Sequence, residues 1–162
     1  MFILIRTIAY SALFIGLLLI YLPTRLLSWS GIARPATIST PQIAAMVLSL
    51  LGAALALWSI LTFAFIGRGT PAPFDPPRRL VIRGPYRFVR NPMYIGAGLA
   101  LAGAALYYGS WPFLAYAMGF FLVMHIVVVS HEEPTLRRSF GEDYEAYCRQ
   151  VRRWWPRLLR RA

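Results

Sequence analysis

Four apolar stretches divide the chain: about Phe2 to Leu22, Gln42 to Ile66, Met93 to Tyr108 and Phe113 to Ser130. Each of the first two reaches the roughly 20 residues a helix needs to span a bilayer. The first carries one charge, Arg6, close enough to its end to snorkel to the interface. The second carries none. The third and fourth are shorter, and only Gly109-Ser110-Trp111-Pro112 separates them. Gly and Pro punctuate helices, so the pair predicts an antiparallel helical hairpin. Along its first arm Gly96, Ala100 and Ala104 recur every four residues. In lipid, small residues at that spacing let helix backbones approach closely. After the fourth stretch the pattern changes. Ser139-Phe140-Gly141-Glu142 fits a capping box. Tyr144, Tyr147, Val151, Trp154 or Trp155, and Leu158 then recur at helical spacing among arginines. That pattern predicts an amphipathic helix lying in the interface, kinked or divided at Pro156. The expected fold class is therefore all-α. It is a polytopic membrane protein of about four transmembrane helices, with a C-terminal helical hairpin and an interfacial amphipathic tail helix.

Composition agrees with this reading. The 162 residues are 58% hydrophobic, with a mean hydropathy of +0.55. A soluble domain of this size has too little interior to hide that much apolar surface. No small-x-small cleavage site follows the first stretch, so it reads as a retained helix rather than a signal peptide. Net charge is +11, and all 17 basic residues are arginine. Such a balance can signal nucleic acid, but these arginines flank apolar spans, so no nucleic-acid partner is expected. One lies at the N-terminus, six between Arg68 and Arg90, and eight after Glu133; only Arg25 and Arg34 fall elsewhere. With four spans, the long loop and the tail share one side, which the positive-inside rule makes cytoplasmic. One membrane domain follows. Residues 1–66 hold the first two spans, 67–92 the arginine-rich loop, 93–130 the hairpin and 131–162 the tail. The arginine-rich tail is suited to anionic membrane lipids.

Two polar clusters sit at the edges of these spans. Arg90-Asn91-Pro92-Met93-Tyr94 reads first as a helix start, with Asn as N-cap and Pro at the first helical position. That does not account for Arg83-Gly84-Pro85-Tyr86-Arg87 just before it, a second turn with two more arginines. Fixed positive charge beside a helix N-terminus suits a carboxylate or phosphate ligand. The other cluster is His131-Glu132-Glu133-Pro134. The plain reading is a polar helix end stopped by proline. Adjacent glutamates, however, point about 100° apart on a helix and so do different jobs. His125, seven residues before Glu132, lies on nearly the same face within the fourth span. It is either a site residue or a neutral histidine bonded to a neighbouring helix. A metal site is weakly supported, because the two histidines fall on different helix faces and no third nitrogen or sulfur ligand adjoins them in the cluster. Cys148 stands alone, which leaves no internal disulfide.

The spacing Gly84-x-Tyr86-x-x-x-Arg90-x-Pro92-x-Tyr94-x-Gly96 is followed by Glu132-Glu133-x-x-Leu136-x-x-x-Phe140-Gly141-x-x-Tyr144-x-x-Tyr147. It resembles the C-terminal half of the membrane methyltransferases, a group that includes isoprenylcysteine carboxyl methyltransferases and phospholipid N-methyltransferases. The likeness covers roughly Arg83 to Trp155. Many members carry Arg-His-Pro where this chain has Arg90-Asn91-Pro92. Asparagine carries no proton at neutral pH, so a general-base role for that histidine does not transfer. Prokaryotic relatives with asparagine at this position are familiar, and the expected location is a bacterial inner membrane with the long loop and tail cytoplasmic. The resemblance implies S-adenosylmethionine as methyl donor and a lipophilic or lipid-linked acceptor, methylated at a carboxylate or an amine. It implies Arg90, Asn91, Glu132 and Glu133 as catalytic residues. Cofactor contacts would come from Arg87, Tyr94, Gly96, His131, Glu132, Glu133, Tyr144 and Tyr147, with the tail as a cover. Two other readings stay open: a non-catalytic membrane scaffold binding anionic lipid, and a membrane reductase of the sterol-reductase kind.

Overall fold

A computed structural model describes residues 12–13, 15–32, 35, 37–67 and 78–156. Among them every regular element is helical; the one extended contact is a single bridge between Val89 and Arg152. The first described segment is a run of π-helical turns, Ile15–Tyr21, continued by α1, Leu22–Trp29. Most of the expected first span, including Arg6, lies outside the described residues. The segment does not stop at Pro23, which occupies the first turn of α1, where a missing N–H costs nothing.

Helix α2, Thr40–Thr62, is opened by Ser39 and Gln42, whose side-chain oxygen accepts from Ser39 N–H at 3.2 Å. It extends through π-helical turns Phe63–Gly67. Helix α3, Pro92–Tyr108, ends at Gly109, whose positive φ of 59° makes a left-handed cap. Ser110 then caps α4, Trp111–Val127, accepting from Phe113 N–H at 3.2 Å. The hairpin turn is thus two residues, tighter than the four expected, because Trp111 and Pro112 already belong to the helix. π-helical turns Val128–Glu132 lead from α4 into α5, Glu133–Gln150.

Two helical runs, Thr40–Gly67 and Trp111–Gln150, are long and apolar enough to cross a membrane. Helix α3 has 17 residues, about 26 Å at 1.5 Å per residue, slightly short of a hydrocarbon core of about 30 Å. The apolar part of the second run is Phe113 to Ser130, and α5 continues beyond it.

The closest helix partner of α3 is α2, not its hairpin neighbour. Gly96 lies against Ala56 and the Gly52 carbonyl, and Gly103 against Ala45 and Ser49. Ser49 Oγ donates to the Ala100 carbonyl at 3.1 Å. The small-residue face is therefore Gly96, Ala100 and Gly103. Ala104 falls instead in the α3–α4 core, which is built on Tyr94, Ala97, Leu101, Phe113, Phe120 and Met124. The reason is helical pitch: at 3.6 residues per turn, positions four apart drift off a fixed face and a three-residue step corrects the drift.

The tail departs from expectation. Ser139 does not cap a helix, since α5 already runs from Glu133 and breaks at Gly141 (φ 49°, ψ −123°). The helix ends at Gln150, and Val151 is extended (φ −118°, ψ 128°). Trp154 is thus on a strap rather than on an amphipathic helix; Leu158 lies outside the described residues.

Candidate functional site

Three elements meet at the polar end of the α3–α4 hairpin. The chain enters through a 3-10 turn, Gly84–Arg87, with Pro85 and Tyr86 buried. Gly84 has φ 58°, and a Cβ there would come within 2.9 Å of Thr62 Oγ1, so glycine is needed both for backbone and for space. Arg90 and Asn91 follow, then α3. The α4–α5 junction supplies Glu132 and Glu133, and the strap after α5 supplies Arg153.

Glu133 is the centre. Only 3% of it is exposed. Arg153 binds it in a bidentate fork, Nε to Oε1 at 2.6 Å and Nη2 to Oε2 at 2.8 Å. Arg90 Nη2 reaches Oε1 at 3.3 Å, and Arg137, one helical turn on, reaches Oε2 at 3.9 Å. Burial pushes the Glu133 carboxyl upward. The Arg153 hydrogen bonds and the charges of Arg90, Arg153 and Arg137 outweigh it and hold the group below the usual carboxylate range. Glu133 is an ionised anchor.

Glu132 is the opposite case. It accepts from the Tyr94 hydroxyl and has no ion pair among the described residues. Burial raises its carboxyl above the usual range. Tyr94 and His131 offset this in part, and the Glu133 charge adds to it. The two neighbouring glutamates thus have opposed electrostatics, as their directions on the helix require.

Arg90 bridges Glu133 and Cys148, donating from Nη1 to the thiol sulfur. Its Nε is buried and has no partner among the described residues. Buried polar atoms are almost always satisfied, so this N–H marks a place for an acceptor.

The remaining expected residues are dispersed. Asn91 occupies the cap position of α3, but its side chain does not cap; Nδ2 donates to the Arg153 carbonyl at 3.4 Å. Tyr147 is buried and donates to the Tyr86 carbonyl at 2.7 Å. Tyr144, 2% exposed, packs beside it with ring centroids 6.2 Å apart. Burial raises both phenols well above the ordinary tyrosine value; at Tyr144 the Glu133 charge adds to it, while the Arg90 charge works against it at both, more weakly than burial. The Tyr147 hydrogen bond fastens the loop to α5. Gly96 is spent in the α2–α3 crossing, and Arg87 and His131 are exposed. His125 accepts a 3.0 Å hydrogen bond at Nδ1 from the Trp154 indole, so it is bonded to the strap, not to a neighbouring helix.

Sequence reasoning missed Arg153, Trp154 and Arg137 as partners. Only Arg137 left a signal, its four-residue spacing from Glu133. Arg153 and Trp154 are brought in by the extended strap, which a helical reading of the tail cannot anticipate.

A family model, phospholipid methyltransferase, matches residues 40–143. The chain belongs to this family. The matched region runs from α2 into α5 and contains both Arg90 to Tyr94 and Glu132-Glu133. It makes the chain a methyltransferase of the membrane type. Tyr144, Tyr147 and the strap lie past its end. Comparison with curated proteins gives no match.

Proposed function

We propose that this phospholipid methyltransferase family member transfers a methyl group from S-adenosylmethionine to a lipophilic or lipid-linked acceptor, at an amine or a carboxylate. The observation that supports the reading is that the matched region holds a buried arginine N–H and a partly buried carboxylate that have, among the described residues, no hydrogen-bond partner and no ion pair respectively. S-adenosylmethionine, when bound, supplies an electrophilic methyl on a sulfonium. It also has a carboxylate and an ammonium, which need a fixed cation and a fixed anion. Arg90 Nε supports the first and Glu132 the second. Glu133 holds Arg90 and Arg153 in place, and Tyr94 orients Glu132. The proteins of this class contribute mainly position, because methyl transfer is a displacement that depends on alignment.

Location fits the same reading. In the four-span topology the arginine-rich loop and tail face the cytoplasm of a bacterial inner membrane, where a soluble donor is present. The acceptor reaches the site laterally from the bilayer. Exposed Arg83, Arg87, Arg138 and Arg152, with Phe88 and Trp155, form a surface suited to anionic lipid headgroups.

Calorimetric titration of detergent-purified protein with S-adenosylmethionine and S-adenosylhomocysteine tests this. Saturable binding, weakened by Arg90→Lys and Glu132→Gln, is expected. No binding at millimolar ligand by well-folded protein refutes it and leaves the lipid-binding scaffold. Labelled-methyl transfer to extracted lipids then separates base-labile ester from base-stable amine.

A further inference from the structure

The strap beyond α5 makes a chain of contacts that the family match does not reach. It leaves the helix extended, pairs Arg152 with Val89, and accepts from Arg90 N–H at 3.0 Å through the Arg152 carbonyl. Successive residues of an extended segment face opposite ways. Arg153 accordingly enters the polar cluster, while Trp154 lies on α4. There its indole ring sits 4.7 Å from Phe121 and 5.9 Å from His125, centroid to centroid, and its N–H is bound by His125 Nδ1. The next residue, Trp155, is 75% exposed. Trp154 is therefore the apolar anchor of the strap.

That anchor bears on the pocket through Glu133. Arg153 occupies both carboxylate oxygens at 2.6 and 2.8 Å, while Arg90 touches one at 3.3 Å. With Arg153 in place Glu133 is nearly saturated, and Arg90 keeps its Nε uncommitted. With Arg153 gone, Arg90 can turn both donors onto Glu133 in the fork geometry that arginine and carboxylate prefer. The Nε would then be spent. We infer that Trp154, seated on His125, is a positioning residue that keeps Arg90 available to the donor carboxylate. This assignment rests on the S-adenosylmethionine reading.

The test uses full-length protein in detergent, with S-adenosylmethionine titration, steady-state methyl transfer and amide hydrogen exchange over residues 151–156. Trp154→Ala is expected to weaken donor binding about tenfold, the scale of one lost, partly buried aromatic contact with its hydrogen bond. Acceptor KM and kcat at saturating donor should change little, and exchange in the strap should quicken. Trp154→Phe and His125→Leu each remove the hydrogen bond while keeping an apolar side chain at the contact. They should give smaller losses of like size, and the double variant should be no worse than either. His125→Gln restores an acceptor for the indole N–H and should recover the affinity lost in His125→Leu. Faster strap exchange with unchanged donor affinity overturns the positioning role, as does unchanged exchange in Trp154→Ala. If Trp154→Ala does not fold, additivity of the two milder variants overturns it too. Absence of donor binding by well-folded wild type overturns the donor reading, and the positioning role falls with it.

Discussion

Gly96 and Gly98 stand two residues apart on α3 and should respond to alanine with opposite signs. A Cβ on Gly96 would lie 2.5 Å from Ala56 N and 2.6 Å from the Gly52 carbonyl oxygen. Both are backbone atoms, so no side chain can rotate away. Reaching the 3.4 Å of ordinary contact requires α2 and α3 to part by about 0.9 Å. Overpacking of this kind costs about 1–3 kcal/mol. Loss of the Ser49 to Ala100 hydrogen bond adds roughly 0.6 kcal/mol in a membrane setting. Higher helix propensity returns at most about 1 kcal/mol. The net for Gly96→Ala is about 2 kcal/mol of destabilisation, roughly thirtyfold in the unfolding equilibrium. Gly98 meets nothing nearer than Phe121 Cδ2 at 3.7 Å. Gly98→Ala should therefore be neutral or stabilise by up to about 1 kcal/mol. SDS titration in mixed micelles, followed by circular dichroism, reads both. If Gly96→Ala is as stable as wild type, or if the two variants shift together, the assigned crossing is wrong. If Gly96→Ala unfolds like wild type yet no longer binds donor, Gly96 belongs to the cofactor site after all.

The adjacent glutamates should also part. Glu133→Gln removes the negative charge that faces partly buried Arg90 and Arg153, and should lower stability by about 3 kcal/mol. Because the folded carboxyl lies below its ordinary value, its contribution is present above about pH 4.3 and fades as pH falls through the lower folded value. Thermal melts of wild type and Glu133→Gln should converge in acid, and parallel melts at all pH values would contradict the ion-pair account. Glu132→Gln should raise the melting temperature at neutral pH while weakening donor binding. Its carboxyl is raised by burial, so its contribution is present in acid and lost as pH climbs through the raised value; a lowered melting temperature would contradict this. Tyr147→Phe leaves the Tyr86 carbonyl without its donor and should cost about 1–2 kcal/mol, read by chemical unfolding. No change would mean that the loop is held by packing alone.

The apolar stretches were legible because burial in lipid imposes length and uniform hydropathy, and both are written along the chain. The Glu132-Glu133 step was legible as two roles, since neighbouring helix positions must diverge. The roles themselves were not, because a carboxyl's state depends on which charges surround it in space. The capping box at Ser139 had the right residue types, yet α5 had already begun at Glu133 and broke at Gly141. Local signals of that strength, on the order of 1 kcal/mol, yield to tertiary packing.

By itself the sequence determined the class, the helical segments, the polar end where Arg90, Tyr94 and the glutamates gather, and the family likeness. Those follow from composition, periodicity and short motifs, all of which are local. Only the tertiary structure decided that α3 packs on α2, that Glu133 is locked by Arg90 and Arg153 while Glu132 is left with Tyr94, and that the tail leaves its helix to plant Trp154 on His125. Each of these joins residues far apart in the chain, and such pairings are settled by shape, charge and space in three dimensions.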